Sequence, residues 1–66
     1  MTGVVLFFND RKFGFIAEDN SEDEYFFHLN DCTDKEIEPK RYDRVSFELE
    51  SSLKGPKATH VKILMA

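Results

Sequence analysis

Aromatic side chains that could stack on flat ligands are concentrated in two short segments of the sequence. Phe13 and Phe15 alternate with non-aromatic residues in the first segment, and Phe26 and His28 flank Phe27 in the second. Side chains alternate between the two faces of a strand, so both segments, interpreted as strands, carry apolar groups on both faces. A chain of 66 residues has one core and nothing to cover a second apolar face. One face is therefore predicted to expose aromatic rings, which marks an interaction site.

The face that points to solvent can be assigned from the remaining residues. Ile16 and Phe27 are suited to the core, which leaves Phe13, Phe15, Phe26 and His28 as the exposed set. Exposed rings with Lys and Arg nearby suit the bases and phosphates of single-stranded nucleic acid. The alternative is that the additional rings fill a tightly packed interior, which applies if the strand assignments are displaced by one residue.

The elements that must position these rings are short strands. Strand patterns cover residues 3–9, 13–18, 24–29, 44–50 and 59–64, and residues 54–56 are predicted to form a turn. Residues 30–43 are polar and contain a proline, which indicates a long loop with one helical turn. Five short strands predict a single all-β domain over residues 1–66, a monomeric barrel whose closure removes exposed strand edges.

Composition limits the environment and the ligand. Cys32 is the only cysteine, and neither a membrane-spanning apolar stretch nor a signal-peptide pattern is visible, so we expect a cytoplasmic protein with no membrane association. The net charge of −4 argues against duplex binding driven by positive charge. It is compatible with single-strand binding, in which stacking carries much of the affinity.

Patterns typical of metal sites and enzymes are missing from the sequence. His28, Cys32 and His60 lack the closely spaced ligand pairs of zinc sites, and residues 19–24 lack the glycine and glutamate of a calcium loop. No phosphate-binding glycine loop and no nucleophile motif is present. We therefore expect no metal, no cofactor, no small-molecule substrate and no enzymatic activity. Cys32 is predicted to be a small core residue and His60 a solvent-facing one.

The same residues carry a pattern of a known family. Residues 13–16, Phe-Gly-Phe-Ile preceded by a base, resemble the first RNA-binding motif of cold-shock domains, and residues 25–29, Tyr-Phe-Phe-His-Leu, resemble the second. Residues 2–9 resemble the opening of the family, and residues 45–47 and 54–61 its later strands. The resemblance covers essentially the whole chain, and the order and spacing of the motifs make it specific.

This resemblance implies a five-stranded antiparallel oligonucleotide-binding (OB-fold) barrel that binds single-stranded RNA or DNA. Rings and His28 would form a stacking platform, Asn9 and Lys12 would supply polar or phosphate contacts, and the other bases would lie near the nucleic-acid backbone. The implied site is Phe7, Asn9, Arg11, Lys12, Phe13, Phe15, Phe26, His28, Lys54 and Lys57. Leu6 replaces a common lysine, Phe7 a common tryptophan and Leu29 a phenylalanine, and the middle loop lacks the family's frequent aromatic, which implies weaker binding or a changed base preference.

Two hypotheses follow for the function. The first is a single-strand binder of the cold-shock type that keeps RNA from folding on itself or influences transcription and translation. The second is a protein-interaction module on the same barrel, with a weakened nucleic-acid site. The charge around the patch distinguishes them, because bases beside Phe13 and Phe15 favour nucleic acid and an acidic rim from residues 22–24 favours a basic protein.

Overall fold

The computed structural model describes residues 1–64, so the last two residues of the predicted domain, Met65 and Ala66, lie outside the described residues. The strands are β1 (Thr2–Phe8), β2 (Phe13–Glu18), β3 (Glu24–His28), β4 (Arg44–Ser52) and β5 (Gly55–Ile63). A one-turn 3₁₀ helix (Leu29–Asp31) follows β3. The strands close a barrel in the order β1–β2–β3–β5–β4, which confirms the predicted all-β five-stranded barrel. No helix within the described residues is long and apolar enough to cross a membrane.

One strand pair departs from the antiparallel arrangement that the resemblance implied. The neighbours β1–β2, β2–β3, β1–β4 and β4–β5 are antiparallel, whereas β3 and β5 run parallel and pair through Phe26 and Lys57. A closed ring with an odd number of strands cannot alternate in direction throughout, so two neighbours must run the same way. The parallel pair closes the barrel directly beside the predicted aromatic patch.

The core is a single cluster at the centre of the barrel. Ile16 and Phe27 have no exposed surface, as the alternation of β2 and β3 predicted. Cys32 is buried at the point where the middle loop leaves the barrel, which confirms its predicted place in the core. Within residues 1–64, the buried core cluster consists of Val5, Ile16, Phe27, Cys32, Val45, Phe47, Ala58 and Val61.

The β4–β5 hairpin is longer than predicted. The turn predicted at residues 54–56 is wrong, because Leu53 and Lys54 alone connect the strands and Gly55 and Pro56 already belong to β5. A Gly-Pro pair usually marks a turn, but Pro56 pairs with Ser51 in the ladder and Gly55 accommodates a φ of 106°. The predicted burial alternation of β4 also ends after residue 47, since every later residue of the strand is exposed. The end of the β4–β5 hairpin therefore lies beside the predicted aromatic patch.

Candidate nucleic-acid interface

Four phenylalanine rings form a continuous row on the outer face of β1, β2 and β3, here called the aromatic platform (Phe7, Phe13, Phe15 and Phe26). The ring centroids of Phe7 and Phe15 are 5.6 Å apart, those of Phe15 and Phe26 are 5.9 Å apart, and those of Phe26 and Phe13 are 5.5 Å apart. Phe7 is 40% exposed and Phe26 is 38% exposed, while the other two rings are half-buried. A surface of this kind offers several π faces to an unpaired strand.

Strand register explains why the rings meet. Phe15 lies directly opposite Phe7 on β1 and Phe26 on β3, so three strands contribute adjacent rings. The neighbouring residues Ile16 and Phe27 point inward and have no exposed surface. The predicted face assignment for β2 and β3 is therefore confirmed.

A β-bulge in β1 turns Phe7 outward. Simple alternation from the buried Val5 would place Phe7 in the core, but the register shifts between these two residues. The extra residue places Phe7 on the outer face and turns Phe8 inward. The ring centroids of Phe8 and Phe27 are 5.8 Å apart. Bulges commonly re-aim a side chain next to a functional site. The resemblance placed Phe7 in the site, whereas strand periodicity alone would not have done so.

Gly14 permits the backbone of β1 to approach β2 at this bulge. A Cβ atom at position 14 would lie 2.0 Å from the carbonyl oxygen of Phe7 and 3.2 Å from the Phe27 ring. No real Cβ contact is that short, so a larger residue would displace the end of β1 that carries Phe7. The glycine of the first motif thus supports the platform from the inside.

His28 lies at the end of the platform, opposite Phe13 in the β2–β3 ladder. Its Nδ1 accepts a hydrogen bond from the backbone N–H of Asn30 at 3.0 Å and caps the 3₁₀ helix. In the neutral ring the proton then resides on Nε2. The cap orients the imidazole and makes the opposite edge a hydrogen-bond donor.

The Asn9 side chain is held by hydrogen bonds within the β1–β2 turn. Its side-chain oxygen accepts backbone hydrogen bonds from Arg11 at 2.9 Å and from Phe13 at 3.4 Å. Asn9 therefore shapes the β1–β2 turn, in which Lys12 has a φ of 68°. Its contribution to the site is to position Phe13, while Arg11 and Lys12 are exposed at the turn.

Two of the predicted basic residues already have acidic partners. Lys12 forms an ion pair with Glu38, and the Nζ of Lys57 lies 3.1 Å from a carboxylate oxygen of Asp31. Lys57 is the residue that pairs with Phe26 across the parallel ladder, so this ion pair borders the platform. Phosphate groups would have to compete with carboxylates for both lysines.

A groove of about 910 Å³ continues the platform toward the β4–β5 hairpin. It is lined by Phe15 and Phe26 of the platform, by Leu53 and Lys54 at the hairpin tip, and by Asp23 just before β3. Lys54 thus lines the same groove as Phe15 and Phe26. Leu53 was not predicted, although an apolar residue in a polar turn, here fully exposed, was the available signal. The groove lining carries both lysines and carboxylates. The charge around the patch therefore does not by itself distinguish a nucleic-acid ligand from a basic protein.

The remaining reactive side chain is not part of this surface. Burial, followed by the charge of Asp31, raises the pKa of the Cys32 thiol to about 11, so the thiol is protonated at neutral pH. His60 is exposed on β5, as predicted. No group of three or more His, Cys, Asp or Glu side chains within residues 1–64 could hold a metal ion.

Comparison with known proteins assigns the family. Residues 1–64 match the family described as the 'Cold-shock' DNA-binding domain. Cold shock protein CspV of Vibrio cholerae is 39% identical over 66 residues, which cover 97% of this chain and 94% of that protein. Cold shock-like protein CspG of Shewanella violacea is 40% identical over 65 residues, which cover 96% and 93% respectively. The chain therefore belongs to the cold-shock domain family, as its motifs indicated.

A solved structure agrees in fold. Drosophila Unr CSD456 matches this chain with a TM-score of 0.76 at 21% sequence identity. The match covers 98% of this chain and 27% of the chain in that structure.

Family membership makes nucleic-acid binding of the cold-shock type the function of the domain and confirms the prediction that it is not an enzyme.

Proposed function

We propose that the chain binds single-stranded RNA or DNA by stacking successive bases on the aromatic platform. The observation that carries this proposal is the continuous row of four rings with neighbouring centroids between 5.5 and 5.9 Å apart. Each stacked base contributes about 1–3 kcal/mol, and every base has a π face, so the binding is tolerant of sequence. A base that remains paired in a duplex cannot reach such a surface.

The polar residues of the site have separate roles in this proposal. His28 donates to a base or phosphate at one end of the platform, and Lys54 meets the backbone at the hairpin. Lys12 and Lys57 bind phosphates after their ion pairs with Glu38 and Asp31 break. Arg11 supplies positive charge at the β1–β2 turn. Such transient binding would keep RNA from folding on itself or influence transcription and translation, by a monomer in the cytoplasm.

The alternative partner is a basic protein segment. Its support is the pair of acidic residues that line the groove, Asp23 and Glu24. The platform would then hold apolar side chains of the partner while these carboxylates pair with its lysines or arginines. The four rings favour nucleic acid, since their row continues across three strands and beyond the groove.

Parallel titrations with a single strand and a duplex test the proposal. Oligo-dT and a duplex of equal length are titrated at the same salt concentration, with anisotropy of a labelled oligonucleotide as the signal. We expect clear binding to oligo-dT and much weaker binding to the duplex. Equal affinity for the two ligands would contradict the stacking mechanism, and binding of a lysine-rich peptide but not oligo-dT would support the protein partner.

A further inference from the structure

An aromatic ring paired with a cation lies outside the platform, in the loop before β4. Tyr42 is 69% exposed, and the guanidinium carbon of Arg41 lies 4.9 Å from the centroid of its ring. Lys40 precedes the pair in the sequence. A guanidinium over one face of a tyrosine is a cation–π contact that holds the ring in place and adds positive charge beside it. Neither residue takes part in the site described above.

The backbone at Tyr42 is held in an unfavourable conformation. Its φ is 73°, in the left-handed region that side chains larger than glycine seldom adopt. The Tyr42 N–H donates to the carbonyl oxygen of Val5 at 2.7 Å, and the Val5 N–H donates to the carbonyl oxygen of Asp43 at 2.9 Å. These bonds to β1 fix the conformation. A large ring at a position that glycine would fill without strain points to a use for the ring.

The same hydrogen bonds locate Tyr42 relative to the platform. They continue the β1–β4 ladder past Arg44, along the edge of β1 that faces away from β2. Val5 is two residues before Phe7, and neighbouring strands lie about 4.8 Å apart. In the order of the strands, Tyr42 therefore lies on the side of β1 away from β2 and β3, which carry Phe15 and Phe26.

Arg41, unlike Arg44, has no carboxylate partner among the salt bridges of residues 1–64. Arg44, the next base along the chain, is neutralised by two hydrogen bonds to Asp19 at 2.7 and 2.8 Å, which hold the pKa of that carboxyl below its usual range. The Asp43 carboxylate accepts the backbone N–H of Lys40 at 2.8 Å. The guanidinium of Arg41 instead lies over the Tyr42 ring and forms no salt bridge within the described residues. It can therefore contact a phosphate without first giving up a carboxylate partner.

We propose that Arg41 and Tyr42 form an additional nucleotide subsite, which extends the platform beyond β1 on a longer single strand. A base stacks on Tyr42, and Arg41 contacts the adjoining phosphate. This inference rests on the proposed function, because the strand that reaches Tyr42 is the one held by the platform. Oligonucleotide-binding barrels occupy about 4–16 nucleotides, so a short ligand fills the platform alone and a longer one reaches the subsite.

The test compares oligonucleotides of two lengths. Oligo-dT of about 4 and about 10 nucleotides is titrated against the unmodified protein, Tyr42→Gly, Tyr42→Phe and Phe26→Ala. Glycine removes the ring and suits the positive φ, so Tyr42→Gly should fold at least as well as the unmodified protein, which thermal unfolding checks. We expect Tyr42→Gly to lose about 5-fold or more in affinity for the long ligand, with no change for the short one. Tyr42→Phe should retain the affinity for both.

The Arg41→Gln variant tests the phosphate contact. Loss of one neutralised phosphate should reduce the slope of log Kd against log salt by about 0.7 for the long ligand and leave the slope for the short ligand unchanged. The subsite is overturned if Tyr42→Gly binds the long ligand as well as the unmodified protein, or if both ligands weaken equally. Failure of the platform has a separate signature, since Phe26→Ala would then bind both lengths normally.

Discussion

Phe26 and Phe27 are adjacent in the sequence and chemically identical, yet one is 38% exposed and the other is completely buried. Phe26 contacts the rings of Phe13 and Phe15 on the outer face, while Phe27 stacks on Phe8 inside the barrel. The same substitution at the two positions therefore separates binding from stability.

Phe15→Ala and Phe26→Ala are expected to weaken oligo-dT binding by roughly 5- to 150-fold, because each removes a stacking surface worth about 1–3 kcal/mol. Their stability should fall by less than the 3–5 kcal/mol typical of a buried Phe→Ala change. Phe27→Ala is the control and should lose about that full amount. Fluorescence titration and denaturant unfolding measure the two effects. Normal binding by both Phe15→Ala and Phe26→Ala would eliminate the proposed site.

At the scale of the element, the β1–β2 hairpin depends on close contact at Gly14. Gly14→Ala should displace the end of β1, since its Cβ would lie 2.0 Å from the carbonyl oxygen of Phe7. We expect a loss of about 1–3 kcal/mol in unfolding free energy, as for other overpacked positions, and weaker oligo-dT binding because Phe7 moves. Thermal unfolding and titration below the transition measure both effects. Ala17→Gly, on the same strand, is the control and should cost about 1 kcal/mol without moving the Phe7 ring. Unchanged stability and affinity in Gly14→Ala would show that the bulge is not required.

The parts of this arrangement that follow a strict two-residue period were predictable from the sequence. The bounds of β2 and the opposite faces of Phe26 and Phe27 are of this kind. The bulge in β1 was not predictable by periodicity, because a single extra residue reverses the faces without a distinctive residue type. The positive φ of Tyr42 and the length of the β4–β5 hairpin depend on hydrogen bonds between distant segments. Likewise, the acidic partners of Lys12 and Lys57 lie 26 residues away in the chain.

At the scale of the whole molecule, an acidic protein presents a binding surface with few uncommitted cations. The net charge is −4, and Lys12 and Lys57 each have a carboxylate partner. When a phosphate pairs with one of these lysines, the carboxylate loses its partner, so the net gain in charge neutralisation is small. Stacking should therefore contribute more to the affinity for single strands than electrostatic attraction does, and the affinity should vary little with salt concentration.

We expect a slope of log K against log salt of about −1.5 to −3 for oligo-dT, which corresponds to roughly two to four neutralised phosphates. Titrations from low to moderate salt measure it. Glu38→Gln releases Lys12 from its ion pair and should steepen the slope by about 0.7 while raising the affinity at low salt. A slope steeper than about −5 in the unmodified protein would mean that charge rather than stacking carries the binding.

The small core has a consequence for how the protein persists in a cell. The buried core cluster within residues 1–64 has eight side chains, and a domain of this length has a small free energy of unfolding. The platform exists only when the barrel is closed, so nucleic acid binds the folded chain and not the unfolded one. At a ligand concentration 100 times Kd, this linkage adds about 2.7 kcal/mol to the free energy of unfolding. Unpaired RNA would then act as a folding ligand, and the fraction of chains exposed to proteases would fall as unpaired RNA accumulates.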